Sequence, residues 1–130
     1  ARALVLLLDQ IPRNVFRDSA HAFATDPLAL RLAARAVDAG LDAAVEPALR
    51  VFLYQPFEHS EALADQDRAV ALTAAMAVAE PGEATAMYAD YARRHRDVIV
   101  RFGRFPHRNR ALGRDSTADE QAYLDAGGGF

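Results

Sequence analysis

Hydrophobic residues along this chain recur at spacings of three and four, which is the pattern of one buried face on an α-helix. The clearest run covers 87–102 and ends at Gly103, a residue suited to the left-handed turn that closes a helix. No segment of useful length alternates between hydrophobic and polar positions, as a half-buried strand would. The pattern therefore predicts an all-α fold.

Proline, glycine and capping residues divide the pattern into six helices. Pro12 is expected to end the first helix, and 13–24 is expected to be an irregular connector. Pro56 should end the third helix, and Ser60 should cap the fourth. The predicted helices cover 2–10, 27–39, 47–55, 60–79, 83–102 and 117–124.

The tight turn at 80–83 should return the fifth helix antiparallel to the fourth. The second and third helices form a similar pair over 27–54. One alanine-rich hairpin cannot bury its own hydrophobic face, so the hairpins are expected to stack. The prediction is a single α-helical domain over 1–130, built of stacked antiparallel hairpins.

The amino-acid composition argues against several classes of partner and of functional site. All fifteen basic residues are arginine, against 18 Asp and Glu, and the net charge of -3 argues against nucleic acid. The absence of cysteine excludes disulfides, thiolate zinc sites and cysteine nucleophiles. The longest apolar run, 3–8, is far shorter than the roughly 20 residues of a membrane span. We therefore expect a cytoplasmic protein with no membrane association, no metal site and no cofactor.

Polar residues concentrate in four clusters, at 9–14, 23–27, 55–61 and 94–113. Eight of the fifteen arginines fall between Arg93 and Arg114. The planar guanidinium fork suits carboxylate and phosphate groups, so this excess indicates an anion site. The simpler interpretation is that these arginines pair with the acidic residues or solvate the surface.

The first hypothesis is that the clusters converge on a small anionic ligand. Arg13 and Arg108 would hold the anion, and a histidine, His59 or His107, would transfer protons if chemistry occurs. The candidate binding residues are Arg13, Asn14, Glu58, His59, Glu61, Arg104, His107, Arg108 and Asn109. Residue types and spacing do not decide whether such a site is catalytic.

Two other hypotheses explain the same residues. In one, the clusters are a structural network of pairs such as Arg13–Glu58 and Arg108–Glu61, and His95 is a hydrogen-bonded core residue. In the other, the helical stack is a non-enzymatic interaction module whose groove receives a peptide or a partner helix.

Several motifs are similar to those of one bacterial family, catalogued as domain of unknown function 924. They include Leu-Leu-Asp-Gln-Ile-Pro-Arg-Asn at 7–14, Gln-Pro-Phe-Glu-His-Ser-Glu at 55–61 and Gly-Arg-Phe-Pro-His-Arg-Asn at 103–109. Further matches lie at 22–26, 63–66, 95–97, 112–114 and 116–117, so the resemblance covers essentially the whole chain.

The resemblance implies a right-handed, tetratricopeptide-like array of helical hairpins. It also implies a further helical segment before the Leu-Leu-Asp-Gln motif, which agrees with an uncapped start at Ala1. It implies no reaction, substrate or cofactor. The motif residues that it marks for examination are those that the polar clusters contain.

Overall fold

The computed structural model describes residues 2–130, which fold into six α-helices and two short 3₁₀-helices, without a strand. The α-helices are α1 (Arg2–Val15), α2 (Asp26–Asp38), α3 (Pro47–Glu58), α4 (Leu63–Ala79), α5 (Glu83–Phe102) and α6 (Ala118–Asp125). The 3₁₀-helices cover Ala20–Phe23 and Pro106–Arg108. The all-α prediction is confirmed. Ala1, where the sequence predicts a helix already under way, lies outside the described residues.

The two longest helices, α4 and α5, pack along each other and form the predicted antiparallel hairpin. The remaining helices extend the stack: α3 packs on α4, α2 on α3, and α1 on both α2 and α3. A small separate core of Val98, Ile99 and Phe105 ties the end of α5 to the segment that follows it. The tetratricopeptide-like, right-handed arrangement of the stack stays a prediction.

Alanine allows these helices to pack closely. Ala33 of α2, Ala69 of α4 and Ala92 of α5 are fully buried around the ring of Phe57. Small side chains at a helix contact let the helix axes approach, since interaxial distance follows side-chain size. One large ring therefore fills the space that three alanines leave.

The prediction that Pro12 ends the first helix is wrong, because α1 continues to Val15. Proline has no N–H to donate to the carbonyl four residues earlier, which here belongs to Leu8. The hydroxyl of Thr25 donates to that carbonyl instead, at 2.5 Å. The predicted irregular connector at 13–24 also contains the end of α1 and the 3₁₀-helix Ala20–Phe23.

Two further helix ends differ from the prediction. Helix α3 includes Pro56 and ends at Glu58, and α4 begins after Ala62 rather than at Ser60. Ser60 instead forms a turn before the helix, accepting from the Ala62 N–H at 3.2 Å and donating to Asp65 at 2.6 Å. Serine hydroxyls favour such local bonds over continuing a helix.

The helix ends predicted from the strongest local sequence signals are confirmed. Gly40 and Gly103 both follow helices with left-handed φ angles of 69° and 73°. Thr117 and Glu120 form the predicted capping box at the start of α6. None of the helices within residues 2–130 is long and hydrophobic enough to cross a lipid bilayer.

Candidate functional site

A cavity of about 550 Å³ lies where the predicted polar clusters meet. Its walls come from α1, the 3₁₀-helix Ala20–Phe23, the end of α3, α5 and the segment 105–111. Four of the nine candidate residues line it: Arg13, His59, His107 and Arg108. Residues far apart in the sequence thus converge on one concave surface.

A buried glutamine fixes the end of α3, which carries His59. Gln66 is fully buried, and its side-chain amide donates to the carbonyls of Glu58 and Ser60, each at 2.6 Å. It also lies 3.4 Å from the carbonyl of Phe57. Carbonyls at a helix end have no partner within the helix, so Gln66 satisfies them and holds the turn at His59.

His59 forms a dyad with Asp9 of α1. The imidazole Nδ1 lies 2.7 Å from the Asp9 Oδ1, and the Asp9 side chain is only 1% exposed. Gln10 also donates to this carboxylate, and the Arg13 guanidinium lies 3.4 Å away. A carboxylate with these partners orients the ring and fixes its tautomer.

The pKa values of the dyad keep Asp9 ionised and His59 neutral near pH 7. Burial acts to raise the pKa of Asp9, but the hydrogen bond from His59, the charge of Arg13 and the hydrogen bond from Gln10 hold that pKa below its ordinary value. Burial lowers the pKa of His59, although Asp9 opposes this effect. The Nδ1 proton therefore points to Asp9, and Nε2 is the nitrogen left to accept from a ligand.

Two other imidazoles in the cavity wall are neutral as well. Burial lowers the pKa of both His95 and His107 to about 4. The Nδ1 of His95 donates to the Tyr91 carbonyl at 2.9 Å. The positive charge of this cavity therefore comes from its arginines rather than from its histidines.

Arg108 is the most unusual of these arginines. Its side chain is 8% exposed, and its guanidinium lies between the rings of Phe23 and Phe105, 4.7 Å from each centroid. One hydrogen bond, from Nη2 to the His59 carbonyl at 2.8 Å, holds it in place. Within residues 2–130, its buried Nε has no hydrogen-bond partner. Burial lowers the pKa of Arg108 to about 10, so the group stays charged near pH 7.

Arg13 makes the closer contact with the carboxylate of Asp26, which would otherwise neutralise the charge of Arg108. Its guanidinium binds Asp26 through two hydrogen bonds, of 2.7 and 2.8 Å. Arg108 reaches the same carboxylate only at 3.8 Å. Arg13 thus lies beside two carboxylates, those of Asp9 and Asp26, whereas Arg108 has a carboxylate only at 3.8 Å.

Residues 1–128 match the family described as bacterial protein of unknown function (DUF924). The chain belongs to this family. A solved structure of a protein of unknown function from Agrobacterium tumefaciens is similar, with 49% sequence identity and a TM-score of 0.87. The match covers 96% of this chain and 66% of that one, so the chain spans slightly less than two thirds of its relative's length. None of the curated proteins matches. The family assignment drawn from the motifs is confirmed.

Three of the remaining candidate residues of this DUF924 chain form a separate network beside the cavity. Glu61 accepts two hydrogen bonds from Arg114, at 2.8 and 2.9 Å, and a third from the Phe105 N–H at 2.9 Å. Asn109 accepts from Arg114 at 2.9 Å, and Arg104 binds Glu120 at 2.8 and 2.9 Å. These bonds tie the segment 104–120 to the start of α4.

The last two candidates, Asn14 and Glu58, do not line the cavity. Asn14 is exposed, and its amide donates to the Gln10 carbonyl one turn earlier. Glu58 is 2% exposed, and burial together with the charge of Asp9 raises its pKa to about 7. Arg13 pairs with Asp26 and Glu61 pairs with Arg114, in place of the predicted pairs Arg13–Glu58 and Arg108–Glu61.

Sequence reasoning missed several residues that line the cavity or orient its groups. Asp9 and Gln10 stand in the predicted cluster at 9–14, and Asp9 lies four residues before Arg13, on the same helix face once α1 continues past Pro12. His95 was assigned to the core, where it is buried, but it also borders the cavity. No pattern indicated Phe130. Among residues 2–130, no group of three or more metal-binding side chains could hold a metal ion.

Proposed function

We propose that this DUF924 protein binds a small anionic molecule in the cavity, with Arg108 holding its carboxylate or phosphate group. The main support for this proposal is the buried guanidinium of Arg108, whose Nε has no hydrogen-bond partner among residues 2–130. Burying a charge costs several kcal/mol, of the order of 3–5, unless its hydrogen bonds are made. An oxygen of an anionic ligand in the cavity would give this guanidinium an acceptor besides the His59 carbonyl, its only hydrogen-bond partner within residues 2–130.

Arg114 is the internal comparison that supports this proposal. It makes four hydrogen bonds, to Glu61 twice, to Asn109 and to the Phe105 carbonyl. Arg108 makes one, although its side chain is the more deeply buried of the two. An arginine with a structural role is paired as Arg114 is, whereas Arg108 keeps donors for a ligand.

His59 adds a proton acceptor to the same cavity. Its neutral Nε2 would accept a proton from the bound molecule or from water beside it, and Asp9 would stabilise the imidazolium that forms. The dyad thus gives the anion site a group suited to general acid–base chemistry. Arg108 would hold the charged group while His59 acts on the part of the ligand beside it.

Replacing Arg108 with methionine is expected to weaken phosphate binding about tenfold to a hundredfold, the value of a charge-assisted hydrogen bond. The free energy of unfolding should stay unchanged or rise, because a hydrophobic side chain of similar size suits the space between Phe23 and Phe105. Titration calorimetry with inorganic phosphate and urea unfolding measure the two effects on the same variant.

Arg110→Met is the matched control, because Arg110 is exposed and lies two residues after Arg108. Its replacement removes the same charge. It should bind phosphate as the parent does. Unchanged binding by Arg108→Met, or a loss of stability of several kcal/mol in that variant, would contradict the proposal.

The interaction-module hypothesis stays a prediction, and a different surface supports it. Helix α1 exposes Leu7, Ile11 and Val15 on successive turns, with 53%, 47% and 65% of each residue exposed. A hydrophobic stripe of this kind suits a second helix. Because Ile11 does not line the cavity, Ile11→Ser should leave phosphate binding unchanged, which separates the two functions.

A further inference from the structure

The ring of Phe130 lies in the cavity wall, stacked on His95. The two ring centroids are 3.7 Å apart, and the planes are inclined by 13°. Tyr91, Phe105 and His107 surround the same ring at centroid distances of 5.5, 6.2 and 6.1 Å. Phe130 borders the same cavity as Arg108. An aromatic ring and the guanidinium-bearing side chain of Arg108 therefore border one space.

Three glycines give the chain the path that brings Phe130 there. Gly127 and Gly129 have φ angles of 85° and 124°, which side chains with a Cβ rarely adopt. Gly128 packs against the ring of Tyr123, and a Cβ at this position would come within 2.4–2.6 Å of three ring atoms. We call residues 127–129 the glycine strap.

Hydrogen bonds to Tyr123 hold the glycine strap in position. The N–H of Gly128 donates to the Tyr123 carbonyl at 2.9 Å, and the N–H of Gly129 donates to the Tyr123 hydroxyl at 3.0 Å. Because the carbonyl and the hydroxyl of one tyrosine both bind the glycine strap, the fold fixes the position of Phe130. The residue as a whole is nevertheless 41% exposed, so Phe130 is open to a neighbour.

We propose that Phe130 contacts the ligand, and that the ligand carries a planar ring beside its anionic group, stacked on Phe130 while Arg108 holds the anion. This inference rests on the proposed function, which supplies the anion site. A cavity of about 550 Å³ falls in the range of sites for whole organic molecules and is much larger than a phosphate group requires. Aromatic rings favour offset stacking with other rings, which makes an aryl group the best complement to this wall.

The test compares phenyl phosphate with methyl phosphate, which share the anion and differ in the ring. Titration calorimetry with the parent chain should give an affinity about three- to tenfold higher for phenyl phosphate, the value of one stacked ring pair. Phe130→Ala should bring this preference below about twofold and leave the affinity for methyl phosphate unchanged.

Gly128→Ala tests the strap without removing the ring. Its Cβ would collide with Tyr123, so the strap is displaced, and the preference for phenyl phosphate should fall as it does in Phe130→Ala. Gly82→Ala is the matched control, because a Cβ there would meet its nearest neighbour, Thr85, at an ordinary 3.8 Å. That variant should keep the parent's preference.

Four results would overturn the inference. The parent could bind the two phosphates equally, or Phe130→Ala could keep the preference for phenyl phosphate. A stronger affinity for phenyl phosphate in Phe130→Ala would mean that the ligand ring takes the position of Phe130 on His95 instead. If the parent binds neither compound, the proposed function is contradicted and this inference with it.

Discussion

Replacing Arg114 with alanine is expected to lower the free energy of unfolding by about 3 kcal/mol, the lower end of the cost of breaking a buried ion pair. The lower end applies because the side chains of Arg114 and Glu61 are 22% and 28% exposed. The loss has three physical sources. Glu61 keeps only the Phe105 N–H as a donor, and the Oδ1 of Asn109 and the carbonyl of Phe105 lose their hydrogen bonds from Arg114. Urea unfolding at neutral pH measures the difference.

Two control variants separate the effect of removing a positive charge from the effect of losing the planar guanidinium. Arg110→Ala removes a charge from the exposed surface and should change stability by less than about 0.5 kcal/mol. Arg114→Lys keeps the charge but loses the planar fork, so its stability should fall between those of the parent and Arg114→Ala. A loss below about 1 kcal/mol for Arg114→Ala would show that this network does not support the fold.

Replacing Glu58 with glutamine is expected to raise the free energy of unfolding at pH 8 by about 3 kcal/mol, and by almost nothing at pH 4.5. Burial and the charge of Asp9 raise the pKa of Glu58 from 4.5 to about 7 in the folded protein. The folded state therefore binds the Glu58 proton more tightly than the unfolded state does. As pH rises from 4.5 through 7, the parent loses the corresponding stability, whereas an amide has no proton to release.

The pH series is its own control, since all other titrating groups are common to both proteins. The difference in stability between Glu58→Gln and the parent should grow between pH 4.5 and 7 and reach a plateau above it. Urea unfolding at several pH values measures this curve. An equal difference at all pH values, or a less stable variant at pH 8, would contradict a raised pKa of Glu58.

Local signals in the sequence predicted most of the helix ends. The capping box at Thr117 and the glycines after α2 and α5 depend on neighbours within a few residues, so the sequence alone is enough to recognise them. The end of α1 depends on a partner far along the chain. The hydroxyl of Thr25, seventeen residues after Leu8, bonds the carbonyl that Pro12 leaves free. No local pattern contains that contact.

The candidate site was predictable in its segments but not in its pairings. The clusters around Arg13, His59 and Arg108 were identified from the density of polar residues, and they do meet at one cavity. Which arginine is paired and which keeps a free donor depends on distances between helices. Arg114 reaches Glu61, and Arg108 does not, although both stand in the same arginine-rich segment.

Phe130 is the clearest case of a residue that the sequence does not reveal. A single phenylalanine after three glycines has no hydrophobic periodicity, and its position on His95 follows from the path of the glycine strap over Tyr123. Glycine conformations of this kind are fixed by the surrounding fold rather than by the residues themselves.

Selenate tests most directly whether Arg108 keeps its guanidinium donors for an anion. Crystals grown with selenate would be measured at the selenium absorption edge, where the anomalous signal locates the anion. We expect an anomalous peak in the cavity with an oxygen about 3 Å from the guanidinium of Arg108. Peaks confined to exposed arginines such as Arg110, with none in the cavity, would contradict it.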